Sequence, residues 1–407
     1  MTNPVESLPH LLYLADVPVE ASFHGSAVMH RLLGEWPAEK LMLVEPGFAQ
    51  SQPARRLANV RYRTLSFGIP RLLHSRLANV YGSFVLASAK SRSAALGKLL
   101  CDFQPEAVLT VTHGYSWLTA AAFAEKRELP LHLILHDDWL FGLHALAALK
   151  PQAESWFGRY YRQAVSRLCV SPCMVESYQQ KFGGSGTVLY PSRAADCPDF
   201  EQPPARIAAA LPHPKVAFAG TVNGSGYVHA LREMAEVLMP LRGQLLVYGP
   251  LTRIQAERVG LNLPNVELRG LIKSHQLVAR LREEADMLYV PMSFDLRDRT
   301  NMEVGFPSKL TDYTATGIPL LIRGPAYCSA IRWARENPGV AEAVDNEDGT
   351  VLAEAVTRLC RDDLLRSRLA SNAMKQGRIF FSREAASNVF LRCLCLGMNE
   401  HRSNSPS

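Results

Sequence analysis

Gly305-Phe306-Pro307-Ser308-Lys309-Leu310-Thr311-Asp312-Tyr313-Thr314-Ala315-Thr316-Gly317-Ile318-Pro319-Leu320-Leu321-Ile322 is the stretch on which the reading of this chain turns. Pro307 and Ser308 predict a helix start, with the Ser308 hydroxyl placed to cap the first free N–H groups. Gly317 is the left-handed stop, Pro319 prevents continuation, and the apolar run from Leu320 predicts a buried strand. Such a helix carries Lys309 in its first turn and Asp312 three residues on, along one face. A cation and a carboxylate beside a positive helix end can hold a nucleotide diphosphate, the lysine and N–H groups on phosphate and the aspartate on ribose. A capped amphipathic helix with a weak surface ion pair is the plainer alternative, and the local pattern leaves both open.

Working outward, short apolar runs alternate with longer helical stretches. Residues 10–16, 41–45, 61–67, 107–112, 131–136, 167–171 and 187–191 predict strands, and 26–34, 83–103, 117–127 and 174–182 predict helices. The pattern lapses over residues 192–214 into Pro-, Asp- and Ala-rich sequence, expected to be a linker. It restarts with strands at 215–219, 244–248, 265–269, 286–290 and 320–322. The fold class expected is α/β, two doubly wound domains with a parallel sheet in each. A disordered tail is expected from Asn399.

At 407 residues the chain exceeds one ordinary core, which also argues for two domains. With 47% hydrophobic and 20% charged residues it has the composition of a water-soluble globular protein. No apolar run reaches membrane-span length, and the N-terminus lacks a basic-then-apolar signal pattern, so a cytoplasmic location is expected. Eight cysteines in this length make no disulfide scaffold. Cys169 and Cys173 have no second pair at metal-ligand spacing, so zinc is not expected, and no Asp-x-Asp stands at a strand end, so neither is a catalytic divalent ion.

The net charge of +6 is unevenly spread. Between Glu45 and Asp102 there is no acidic residue, while Arg55, Arg56, Arg61, Arg63, Arg71, Arg76, Lys90, Arg92 and Lys98 fall in that interval. Leu72, Leu73, Leu77, Tyr81, Phe84, Val85 and Leu86 are interleaved with them. Residues 55–98 therefore suit an anionic membrane, giving a protein peripheral to the inner face, or a phosphate-bearing acceptor. The alternative is that these charges scatter over several solvated faces. No recognition motif supports nucleic acid as a partner.

In open α/β sheets ligands sit beyond the carboxyl ends of strands. The polar clusters at those ends are Asp16 to Ser26, Thr112 to Ser116, His136-Asp137-Asp138-Trp139, Gly220 to Gly226, and Pro291 to Lys309. This ordered set, with Val170-Ser171-Pro172 before Tyr190-Pro191-Ser192 and the Lys309-to-Pro319 motif, resembles the retaining group-1 glycosyltransferases of the GT-B fold. The resemblance runs over nearly the whole chain. It implies two facing Rossmann-like domains: residues 1–205 receiving the acceptor, residues 206–380 binding a nucleoside-diphosphate sugar, and residues 381–398 packing back on the first domain.

Carried over residue by residue, the resemblance places Asp312 where the family usually has the ribose-binding Glu. The family's earlier Glu falls on Val304, leaving Glu303 next door as its stand-in. The turn Gly220, Thr221, Asn223, Gly224 and Ser225 matches the place where the family supplies basic residues, but none occurs before Arg232. Phosphate contacts therefore pass to Lys309, to backbone N–H groups near Gly224 and Ser225, and to Arg297 and Arg299, with Pro307 and Ser308 at the helix start counted among the donor-binding residues. His136 matches the donor-side histidine near the transferred sugar, while His24, Gly25, His113, Tyr115 and Asp137 are expected acceptor contacts. Structural roles at strand ends are the alternative for these histidines.

In retaining enzymes of this shape the leaving diphosphate oxygen takes the acceptor's proton, so no strong side-chain base is needed. The implied activity is metal-independent sugar transfer to an oxygen of a polysaccharide, glycan or lipid-linked acceptor, with no cofactor beyond the donor. The alternatives are a nucleotide-sugar epimerase and a non-catalytic sugar-nucleotide binder. A dinucleotide oxidoreductase is disfavoured because residues 220–226 lack the Gly-x-Gly-x-x-Gly spacing.

Overall fold

The computed structural model describes residues 8–404 apart from Phe23, Phe48, Phe67, Phe141 and Asn223; the side chains of His24, Pro70, Ser274, His275 and residues 396–404 also lie outside the description. The chain divides into two compact units, residues 1–190 with 386–407, and residues 191–385.

Unit 1 is built on seven parallel strands among the described residues: β1 (Leu11–Leu14), β2 (Leu41–Pro46), β3 (Arg61–Leu65), β4 (Ala107–Val111), β5 (Leu131–Leu135), β6 (Ser166–Cys169) and β7 (Thr187–Val188). Their order is β3-β2-β1-β4-β5-β6-β7. Strands β1, β2, β4 and β5 are buried at every position, which is why they read as mostly apolar runs, interrupted only by the buried Glu45, Thr110 and His132, rather than as alternating ones. The core gathers Leu11, Tyr13, Met29, Leu33, Trp36, Leu43, Leu109 and Ile134. Ala386, Phe390 and Leu394 of the last helix, Arg383–Asn404, enter the same core, with Phe390 edge-on to Trp36 at 6.3 Å. That helix continues to Asn404, where a disordered tail was expected from Asn399.

The expected single helix over 83–103 is two, Ala78–Ala87 and Ala89–Leu99, broken at Ser88, whose hydroxyl donates back to the Val85 carbonyl. A helix that the periodicity did not announce, Lys150–Gln163, buries Phe157 and Tyr160 against Trp117 and Trp139, with Tyr161 stacked on Phe157.

Unit 2 carries six parallel strands among the described residues: β8 (Lys215–Ala219), β9 (Gln244–Tyr248), β10 (Val266–Gly270), β11 (Met287–Pro291), β12 (Leu320–Arg323) and β13 (Glu342–Val344), in the order β10-β9-β8-β11-β12-β13. In each sheet the chain starts at an inner strand, winds outward, then returns to build the other side. The order reverses between β1 and β4 and between β8 and β11, and a crevice opens at such a reversal.

Residues 192–214 are not a free tether. Arg193 donates to the Thr311 carbonyl (3.0 Å) and the Thr314 hydroxyl (3.1 Å), and Arg206 pairs with Asp286 at 2.7 Å. Arg282 lies 4.1 Å over the Phe200 ring and donates to the Gln202 carbonyl. Arg366 reaches the carbonyls of Ile207 (2.9 Å) and Ala209 (2.7 Å). Long-range arginines hold this Pro-rich segment onto unit 2.

Candidate active site

In unit 2 the reversal lies beside the glycine turn. Strand β8 ends at Ala219, and the N–H of the following Gly220 donates to the Tyr248 carbonyl at 2.9 Å. Gly249, at φ +156°, packs so close that a Cβ there would stand 2.3 Å from the Gly220 carbonyl oxygen. The helix Gly224–Leu238 starts next, and a Cβ on Gly226 would stand 2.2 Å from the Ser293 hydroxyl beyond β11. Gly226 thus lets this helix pack onto the exit of β11.

The helix Lys309–Thr316 ends in the left-handed Gly317 (φ +71°), followed by buried β12, as the sequence predicts. Its start differs. Ser308 is exposed, already helical (φ −55°, ψ −22°), and its hydroxyl makes no cap. The N–H groups of Ser308 and Lys309 have no hydrogen-bond partner among the described residues. The Tyr313 hydroxyl accepts from the Ala219 N–H at 2.6 Å, pinning this helix to the end of β8.

That bond sets Lys309 against the glycine turn. Its Nζ lies 4.3 Å from the centre of the Phe218 ring and 5.0 Å from that of Tyr227, over two aromatic faces. A Cβ built on Gly220 would stand 3.9 Å from the same nitrogen. No carboxylate among the described residues lies within ion-pairing distance. Burial without a counter-charge pushes the ammonium down to about 7. Nothing in the local pattern announces the Phe218 and Tyr227 platform, since either ring reads as core.

Asp312 does not share that neighbourhood. Half-buried one turn on, its charge acts on Arg193 and Cys197, and it contributes nothing to the depressed pKa of Lys309. Arg297 is fully exposed and clasped by Asp295 at 2.5 Å. The Arg299 guanidinium lies 4.9 Å over the Tyr327 ring, and Glu303, half-buried on the helix Arg299–Val304, acts on the same tyrosine. The structure thus gathers Arg299 and Glu303 around Tyr327, not around the glycine turn. Val304 is buried, as an apolar residue in that place should be. Gly224 and Ser225 line an open cavity of about 530 Å³ with Val222, Val228, His229, Arg232 and Val259. Thr221 and Pro307 are half-buried beside the turn, and Asn223 lies outside the described residues.

In unit 1 the reversal is organised by Asp16, buried at the end of β1. Its carboxylate accepts from the N–H groups of Tyr115 and Ser116 (3.2 Å for Ser116) at the start of the helix Ser116–Arg127. Burial pushes its pKa up, while those N–H groups pull it back. The Trp139 indole donates to the Gly114 carbonyl at 2.6 Å, tying the loop after β5 to the loop after β4. His136 and His113 therefore become neighbours: burial lowers the pKa of His136, Asp137 opposes that, and His113 adds to it. Gly25 completes the corner, since a Cβ there would stand 3.6 Å from His136 Nδ1. Tyr115 is not part of it, being buried with its hydroxyl donated to the His144 carbonyl at 2.9 Å. Asp137 and His113 are exposed, and the side chain of His24 lies outside those described.

Gly114 holds this corner open. At φ +61° it is left-handed, and a Cβ would stand 1.9 Å from Asp16 Oδ2. Gly114→Ala should destabilise the protein by about 3 kcal/mol, from backbone strain plus overpacking. Gly142→Ala, with nothing within 4 Å of its Cβ, is the near-neutral control. Equal denaturation midpoints for the two variants would contradict this account of the loop.

No protein-family model matches the chain, and no curated protein matches it in sequence. Solved structures do. Anabaena HepE in complex with UDP and glucose is similar at 12% identity over 95% of this chain and 99% of that one, with TM-score 0.65. The sucrose-phosphate synthase of Thermosynechococcus elongatus is similar at 14% identity, covering 97% of this chain and 98% of its own, with TM-score 0.64. The α,α-trehalose 6-phosphate synthase of Burkholderia multivorans is similar at 14% identity, covering 97% and 99%, with TM-score 0.65. Over 95–97% of its length this chain therefore has the fold of these proteins, two Rossmann-like units of the GT-B class.

Proposed function

We propose that the protein transfers a sugar from a nucleoside-diphosphate sugar to a hydroxyl oxygen of an acceptor. The observation that carries this reading is Lys309. Its ammonium is packed at the sheet reversal against Gly220 without a carboxylate partner, beside two open helix N–H groups. A diphosphate supplies the negative charge and acceptor oxygens that this corner lacks. Similar folds are described as complexes with UDP and UDP-glucose, which makes a uridine carrier the first to try.

In this reading unit 2 holds the donor and the His136–His113–Gly25 corner of unit 1 receives sugar and acceptor. The bond from the sugar's anomeric carbon to the diphosphate breaks and a bond to the acceptor oxygen forms on the same face. The acceptor's proton passes to the leaving phosphate oxygen. Lys309 and the helix N–H groups offset the charge that develops there, a task we assign to them rather than to a divalent ion. His136, whose neutral form burial favours, donates to a sugar hydroxyl without a change of charge. Asp312, one turn on from Lys309, is assigned the ribose hydroxyls, through a looser or water-bridged contact than a glutamate would make.

A thermal-shift panel of nucleoside diphosphates and their sugars, followed by release of nucleoside diphosphate in the presence of acceptor alcohols, tests the reading. Stabilisation by one carrier and acceptor-dependent release are expected. Donor converted without any acceptor would point to an epimerase. Binding with no turnover across a broad acceptor set would leave a sugar-nucleotide binder, which the absence of Arg and Lys from residues 220–226 favours as the second reading.

A further inference from the structure

We propose that the outer face of the helix Ala78–Ala87, with the 3-10 turn Pro70–His74 before it, docks on an anionic lipid bilayer. The surface is independent of the transfer reading. Leu77, Val80 and Phe84 recur at helical spacing and are 54%, 55% and 61% exposed, while Tyr81, Val85 and Leu86 on the opposite face are buried. Ile69, just before the turn, is 61% exposed. Four large apolar side chains standing out of a sixteen-residue stretch form a patch, whereas single exposed ones elsewhere need no explanation.

Along the chain, the charges on either side of the patch are of one sign. No acidic residue occurs between Glu45 and Asp102. Part of the basic excess in that interval is consumed inside the fold: Arg56 pairs with Glu45, Arg61 and Arg63 pair with Asp102, and Arg92 is buried. Arg71, Arg76 and Lys90 are exposed, carry no ion pair among the described residues, and flank the apolar side chains along the chain. Apolar residues raised on a helix between unpaired cations suit the headgroup boundary of a bilayer, the rings and aliphatic chains inserting while the cations meet phosphate. A second copy fits less well, because a two-fold interface would set each arginine cluster against its own like charge.

The test is flotation of the full chain with vesicles of phosphatidylglycerol and phosphatidylcholine, and with phosphatidylcholine alone. Binding is expected to the first and not to the second, and to weaken with salt. Leu77→Ser combined with Phe84→Ser should lower partitioning by about tenfold or more. Arg71→Glu with Arg76→Glu should abolish the preference for anionic vesicles. All these positions are on the surface, so melting temperatures should stay at the wild-type value, which keeps a loss of flotation interpretable. Absence of flotation, or flotation unchanged in either double variant, would overturn the proposal. So would a wild-type dimer in sedimentation that Phe84→Ser dissociates, which would assign the face to a second copy.

Discussion

Lys309→Met should weaken binding of a nucleoside-diphosphate sugar by about 10- to 150-fold, the worth of one hydrogen bond to a charged group. Methionine keeps an apolar stem against Phe218 and Tyr227 and removes only the charge. The same substitution should leave the unliganded fold at least as stable, because a partly buried ammonium without a carboxylate is a cost to folding. Loss of affinity together with loss of stability would mean that the lysine supports the fold instead of the ligand. The pH dependence carries a sign as well. In the free protein Lys309 titrates near 7, and a bound diphosphate must raise that value. Below pH 7 the lysine is charged in both states and affinity is flat on its account. As pH rises through 7 towards the bound-state value, binding has to recruit a proton, and affinity falls. Calorimetry at a series of pH values would show a slope in the wild type and none in Lys309→Met.

Arg366→Ala should destabilise unit 2 by about 3–5 kcal/mol, because buried carbonyls lose their donor and a large side chain leaves a cavity. Arg366 is 1% exposed and is held by carbonyls: Ile207, Ala209, Leu359 (2.6 Å) and Cys360 (3.0 Å). One planar fork thus ties the segment after the first unit to the two helices Gly349–Arg361 and Asp363–Phe381. Arg366→Lys should recover little, since one ammonium cannot span the same set. By contrast Arg206→Ala, a third exposed and paired with Asp286, should cost about 1 kcal/mol. Denaturant unfolding of the three variants checks the ranking, and an Arg366→Ala loss below that of Arg206→Ala would contradict it.

The fold was legible because its signals are local. Buried parallel strands read as apolar runs, and Gly317 with Pro319 fixed where one helix stopped and β12 began. Strand β13 was missed because it has three residues, Glu342–Val344, only one of them buried. The segment 192–214 read only as a linker because its order comes from arginines 80 to 179 positions away, which no local pattern encodes. Ser308 misled for a related reason: the right residue type stands at a helix start, but the backbone has already turned helical there.

The candidate site divides in the same way. Lys309 beside the glycine turn, and His136 beside His113 and Gly25, follow from strand ends and topology. Side-chain partners do not follow from spacing: Arg299 lies over Tyr327, Arg297 is clasped by Asp295, and the charge of Asp312 acts on Arg193. Tyr115 was drawn inward because its hydroxyl found the His144 carbonyl.

Proton exchange on binding tests the role of Lys309 most directly. Calorimetric titration of UDP-glucose, whose phosphates do not titrate near neutrality, would be run at pH 8 in buffers of different ionisation enthalpy. Net uptake approaching one proton per ligand by the wild type, and none by Lys309→Met, is the result expected from a lysine that is largely neutral until a diphosphate reaches it. Binding with no proton uptake, or with the same uptake in both proteins, would place the diphosphate elsewhere and contradict the account.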